Sequence, residues 1–207
     1  MSRQEVEIIF EDSSDEEEID SEDTNLDDCV DFFTYKAKAD KVFAKHGTKV
    51  NIQKKYEPFS NYYKIKFDFE GKEYTSSEHP YHSNKFEDEW YREEIRNAPT
   101  PNNNSKALGN LKAGQWDKQE VRDIIKEAKS RKIKMRSDWD KIKQDIMYKI
   151  VTEKFKNKQL RKLLKDTGNK IIRECSPYDR EWGIFKDGTG KNMLGIILMR
   201  VRSEISD

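Results

Sequence analysis

Hydrophobic positions along the chain follow two periods. In "YYKIKFDFEGKEYT" (62–75), Tyr63, Ile65, Phe67 and Phe69 alternate with Lys64, Lys66, Asp68 and Glu70. Period two predicts a strand with one buried face. Gly71 and Lys72 supply a turn, and Glu73 to Thr75 begin a second strand, which makes a hairpin. Further on the period changes to 3.6. Val121, Ile124, Ile125 and Ala128 form one stripe in 118–134. Trp139, Ile142, Ile146, Met147, Ile150 and Val151 form another in 137–155, behind a capping-box-like Ser137 and Asp140. "LRKLL" continues helically until Gly168, and Leu194, Ile197, Leu198 and Val201 mark a last amphipathic helix. "CVDFFTY" (29–35) and "NKIIREC" (169–175) read as short strands. The pattern predicts an α+β fold, predominantly α-helical, with a small antiparallel sheet. Three segments read as irregular: the Lys-rich stretch 36–55 as an insertion or mobile loop, the Pro/Asn-rich stretch 97–107, and the glycine-bearing stretch 176–192.

One helix breaks the rule that a helix buries an apolar stripe. "SEHPYHSNKF" (77–86) has a hydroxyl residue to cap, an acid in the first turn and a proline near the start. Glu78, Tyr81, His82 and Lys85 fall at i, i+3, i+4 and i+7 and share a face. A face with an acid, an imidazole and an amine suits a cavity wall better than a core.

Composition changes the picture at the N-terminus. The formal net charge of zero is a cancellation: residues 1–31 hold 14 acids and one Arg, and the rest hold 26 acids against 39 bases. Residues 1–28 read as a disordered acidic tail before a basic domain, 29–207. A basic domain favours anionic partners such as phosphorylated small molecules or nucleic acid. The tail is either a solubilising extension or a polyanion that competes with such a ligand. Cys29 and Cys175 make no disulfide framework. Acids near the start argue against a signal peptide, and the longest apolar run, "MLGIILM" (193–199), is too short to span a bilayer. The expectation is a soluble intracellular, cytoplasmic protein with no membrane contact. Its oligomeric state is open.

Three small constellations could carry chemistry. His79 and His82, at i, i+3, lack the spacing and the further ligands of a zinc site, so no metal is expected. Gly190, Lys191 and Asn192 precede the last helix and could hold a phosphate at its N-terminus. Asp179 and Trp182 lie in the loop "SPYDREWG" (176–183), where Trp182 either anchors the loop or stacks on a flat ligand.

Taken in order, "PFSNYY", "EGKEYTSSEH", "YREEIRNA", "ALGN", "LRKLLKDTG", "SPYDREWG" and "GKNMLGIILMRVR" resemble the YbiA-like, or NADAR, family of N-glycosidases. The resemblance runs from about Asp31 to Ile205 and ends in a "GxNxLGxxLMxxR" pattern at Gly190 to Arg202. It implies a YbiA-like fold and cleavage of an N-glycosidic bond between a nitrogen base and a phosphorylated ribose. The substrates implied are ribosylamino-pyrimidine phosphates of riboflavin synthesis, or ADP-ribose on guanine, including ADP-ribosylated nucleic acid. No cofactor is implied. The family's catalytic acids fall on Glu78 and Asp179, which would divide the work of stabilising the cationic sugar and protonating the departing base. Its tryptophan falls on Trp182, and Lys85 matches the residue that captures the opened sugar. His82 stands where the family usually has glutamine, so it either relays a proton or replaces that side chain. Pro80, Ile184 and Phe185 also depart from the pattern and put base selection in question. The alternative is a non-catalytic ADP-ribose or NAD-derivative binding module regulated by the acidic tail.

Overall fold

The computed structural model describes residues 25–114 and 117–205. Up to residue 24, the segment read as an acidic tail lies outside the described residues. Residues Leu26–Asp28, also assigned to that tail, form a 3-10 turn capped by the Asn25 side chain, which accepts from Asp27 N.

In chain order the elements are β1 (Cys29–Phe32), α1 (Lys36–His46), β2 (Phe67–Phe69), β3 (Lys72–Tyr74), α2 (Glu78–Ser83), α3 (Glu89–Arg96), α4 (Lys106–Gly109), α5 (Gln119–Ser130), α6 (Trp139–Lys154), α7 (Lys158–Lys165), β4 (Ile171–Glu174) and α8 (Met193–Glu204). This is the expected α+β arrangement, mostly helical. β2 and β3 pair antiparallel through the two-residue turn Glu70–Gly71, with Phe69 opposite Lys72. Both turn residues have positive φ, 54° and 76°, as a hairpin of this length requires. The strand is shorter than its alternating pattern, yet the alternation holds: Tyr63, Ile65 and Phe67 are half-buried between exposed Lys64, Lys66 and Asp68.

A second pair was not foreseen. β1 and β4 are parallel, with Asp31 opposite Arg173. Parallel strands are far apart in sequence, so no local signal announces their pairing. The Arg173 guanidinium grips Asp31 with two hydrogen bonds, 2.7 and 2.8 Å, while Asn51 N donates to the same carboxylate at 2.7 Å. Asp31 is only 1% exposed, and these donors satisfy it.

Two segments expected to be irregular are ordered. The Lys-rich stretch forms α1, where Ala39 and Phe43, four residues apart, are fully buried against Ile52, Cys175 and Ile184. Two apolar positions seat the helix among exposed lysines, which hides the period in the sequence. The Pro/Asn stretch folds as a helical turn, Pro101–Ser105, leading into α4.

The main core lies among α6, α7, α8 and the strands, and a second one among α3, α4 and α5. α2 is buried on every side between them.

The glycine loop before α8 is fastened to β4. Asn192, at φ 53°, caps the strand with both side-chain atoms: Oδ1 accepts from Glu174 N at 2.9 Å and Nδ2 donates to Ile172 O at 2.8 Å. The contact needs Gly195, because a Cβ there would lie 2.1 Å from Ile172 O. Asn192→Ala strands two buried backbone groups and is expected to lower stability by about 2–4 kcal/mol. Exposed Lys191→Ala is expected to stay within about 0.5 kcal/mol. Denaturant unfolding checks both; equal effects would contradict the latch.

Candidate functional site

The hairpin delivers the chain into α2, whose Glu78 N donates to Asn61 O at 3.2 Å. Ser77 does not cap the helix with its side chain, contrary to the sequence reading; its backbone is already helical. Ser76 and Ala98 instead hold His79. Its Nδ1 meets Ser76 Oγ at 2.7 Å and its Nε2 meets Ala98 O at 2.9 Å. The carbonyl only accepts, so Nε2 carries the hydrogen and the ring is a neutral bridge. Burial also pulls its pKa down.

α2 ends at Ser83, two residues short of Lys85. Asn84 Nδ2 donates to Pro80 O at 2.9 Å, and Lys85 N donates to His82 O at 3.3 Å. Lys85 therefore reaches the site from a closing turn rather than from a second helical turn.

Glu78, His82, Lys85, Asp179 and Trp182 all line one cavity of about 600 Å³. His82 Nε2 lies 2.8 Å from Glu78 Oε1. Burial lowers the His82 pKa, so the neutral ring donates from Nε2 to the carboxylate. Its Nδ1 is buried without a hydrogen-bond partner among the described residues. Gly109 of α4 makes room for the ring, since a Cβ there would come within 2.2 Å of Nδ1. Burial works against the Glu78 anion. The His82 ring, then Lys106 and Lys85, outweigh it and hold the carboxyl below its ordinary pKa.

Lys85 is 6% exposed. Burial, with Lys106 and Lys143 adding to it, lowers its pKa to about 8 against the pull of Glu78. Its Nζ donates to Asn110 Oδ1 at 3.2 Å and sits 5.2 Å from the Tyr81 ring centre. About a tenth of such an amine is uncharged at pH 7.

Asp179 Oδ1 accepts from Glu181 N at 2.9 Å and from Trp182 N at 2.8 Å, so it shapes the loop that carries Trp182. Trp182 packs edge-on to Tyr81, whose ring also meets Trp139.

Gly190, Lys191 and Asn192 do not line this cavity. The amides before α8 are taken by the preceding loop: Gly190 N donates to Ile184 O, Lys191 N to Arg180 O and Asn192 N to Gly183 O, at 2.8, 2.7 and 3.2 Å. This corrects the reading of that segment as a phosphate cradle. Its atoms hold the loop and β4.

The cavity's cationic lining comes instead from Lys38, Lys85 and Lys106 among the described residues. Lys38 and Lys106 lie in segments that read as loops, so nothing pointed them at the site. Glu174, also on the wall, was missed as well. A signal existed: it shares a strand face with buried Ile172. Burial, then the charges of Asp179 and Glu78, push its carboxyl well above the ordinary range, with Lys154 and Lys106 opposing. Lys154, which extends the α6 stripe of Met147, Ile150 and Val151, is 1% exposed and donates to Ser60 O at 2.8 Å. Burial lowers its pKa to about 7. No group of three or more metal-binding side chains converges among the described residues.

A sequence profile of the NADAR domain matches residues 42–206. The chain belongs to the NADAR domain family. It is 31% identical to N-glycosidase YbiA of Shigella boydii (serotype 4, strain Sb227) over 152 residues, 73% of this chain and 82% of that protein. A riboflavin biosynthesis protein of Vibrio vulnificus (strain YJ016) is 30% identical over 159 residues, 73% of this chain and 38% of that protein. The NMR structure of the Escherichia coli protein YbiA superposes with a TM-score of 0.59 at 26% identity, covering 87% and 86% of the two chains. The NADAR match begins inside α1, so part of the stretch read as an insertion lies within the family domain. No helix among the described residues is long and apolar enough to cross a membrane.

Lys154 gives a test of the buried charge beneath the site. An unfolded lysine titrates near 10.4, so between about pH 7 and 10 the unfolded chain holds a proton that the folded chain has released. Stability from this group therefore rises with pH across that window. Lys154→Met removes the rise. Denaturant midpoints are expected to show the wild type gaining on the variant by on the order of 1 kcal/mol per pH unit. Parallel curves would contradict the lowered pKa.

Proposed function

We propose that this chain hydrolyses the N-glycosidic bond between a nitrogen base and a phosphorylated ribose. The observation that carries the reading is one cavity holding a carboxylate kept ionised, Glu78, and an amine of lowered pKa, Lys85. The names of the relatives support the same chemistry.

Breaking the C1′–N bond leaves positive charge on the sugar. A carboxylate in a water-poor cavity stabilises that charge far more than one in water. Glu78 is suited to this role because the His82 N–H fixes its orientation. After hydrolysis the ribose opens to its aldehyde. The free amine of Lys85 adds to C1′, water leaves, and an imine forms. Asp179 and Trp182 frame the sugar and base, and His82 acts through Glu78. Lys38 and Lys106 take the phosphate, in place of Lys191. The substrate is ADP-ribose on guanine or a ribosylamino-pyrimidine phosphate. A reader of ADP-ribose without turnover has no use for a desolvated amine beside a carboxylate, so the enzyme reading is preferred.

Incubation with ADP-ribosylated guanine DNA and, separately, with a ribosylamino-pyrimidine 5′-phosphate is expected to release base from at least one, followed by mass spectrometry. Glu78→Gln is expected to lower that rate by about 10² or more. Borohydride is expected to fix a sugar adduct on the wild type and none on Lys85→Ala. No release from either substrate would overturn the reading; an adduct persisting in Lys85→Ala would remove Lys85 from it.

A further inference from the structure

Among the described residues the cavity wall carries three carboxylates, Glu78, Glu174 and Asp179. They are not equivalent. Glu78 has a donor in His82, and Asp179 is tied to two loop amides. Glu174 is 8% exposed at the end of β4. Its backbone is pinned on both sides. Its N–H bonds Asn192 Oδ1, and its carbonyl accepts from Ser176 N and Ile184 N, each at 2.9 Å. The side chain is thus placed by a rigid strand end rather than by a loop.

We infer that Glu174 is the proton donor to the departing base. The inference rests on the glycosidase reading and extends it. When carboxyl groups crowd one largely buried site, their mutual repulsion raises the pKa of the least compensated, which keeps its proton. The titratable groups around Glu174 are Asp179 from the loop, Glu78 from α2, Lys106 from α4 and half-buried Tyr62, all on the same cavity wall, with Lys154 from α6 behind them. The α6 cation directs its hydrogen to Ser60 O, and its own pKa is near 7. The raised pKa of Glu174 agrees with this division.

In the step, the Glu174 O–H proton passes to the base nitrogen as the C1′–N bond breaks and its electron pair goes to that nitrogen. Glu78 faces the resulting sugar cation. A water then adds to C1′ and gives its proton to the Glu174 carboxylate, which restores the acid. The sum is one water consumed, one free base and one sugar released.

A leaving group that needs no proton separates this role from a structural one. A ribosylamino-pyrimidine 5′-phosphate must protonate its amine, whereas the pyridinium of nicotinamide mononucleotide leaves as a neutral base. Glu174→Gln is expected to lose about 10²–10⁴ in kcat on the first substrate and at least about 30-fold less on the second. The alkaline limb of the wild-type pH profile on the first is expected to disappear in the variant. Equal losses on both, or a retained alkaline limb, would overturn the inference. The infrared carbonyl band of a protonated carboxyl, read at pH 7 without turnover, is expected in the wild type and absent in Glu174→Gln. A wild type without that band would overturn the inference whatever the rates. Lack of turnover with the band present would instead count against the glycosidase reading.

Discussion

The 2.8 Å hydrogen bond from His82 to Glu78 is the interaction on which the site depends. It lets a six-residue helix sit between two cores with every residue buried. An unpaired carboxylate in that position costs several kcal/mol. Paired and turned toward a cavity, it has a donor on one side and room for a ligand on the other. The helix alone is too short to be stable, so its geometry comes from the walls around it. Gly109 gives the imidazole its space, and the turn after Ser83 places Lys85 near the same wall.

From that bond the electrostatics of the cavity divide. Burial moves Lys85 toward the free amine and Glu174 toward the acid, whereas Glu78 is held as an anion against burial by the His82 ring, Lys106 and Lys85. The loop 176–192 and α8 close the arrangement by backbone contacts. The Asn192 latch fixes the strand end that carries Glu174, so a segment with the look of an anion site works as a frame.

Much of this was legible in the sequence because local periods record local burial. The alternation from Tyr63 to Phe69, the α6 stripe and the α8 stripe all report which face is covered. The polar face of 77–86 reported a cavity for the same reason. What was not legible depends on distant partners. The parallel pairing of β1 with β4 joins residues about 140 positions apart, as with Asp31 and Arg173. Ala39 and Phe43 hold α1 with too little apolar surface to stand out among lysines. Glu174 and Lys154 are charges on buried faces, which the periods of β4 and α6 contain but which read as solvent-facing by residue type. The glycines and amides before α8 are satisfied by carbonyls of Arg180, Gly183 and Ile184, and nothing within "GTGKN" announces that.

The central claim is that burial in this cavity brings a lysine amine near neutrality beside an ionised carboxylate. The most direct measurement is a pH titration of ¹³Cε-labelled lysine signals by NMR, with the Lys85 resonance assigned from Lys85→Arg. The account predicts that this signal titrates near pH 8. A Lys85 signal titrating with the bulk of the surface lysines, above pH 10, would contradict it.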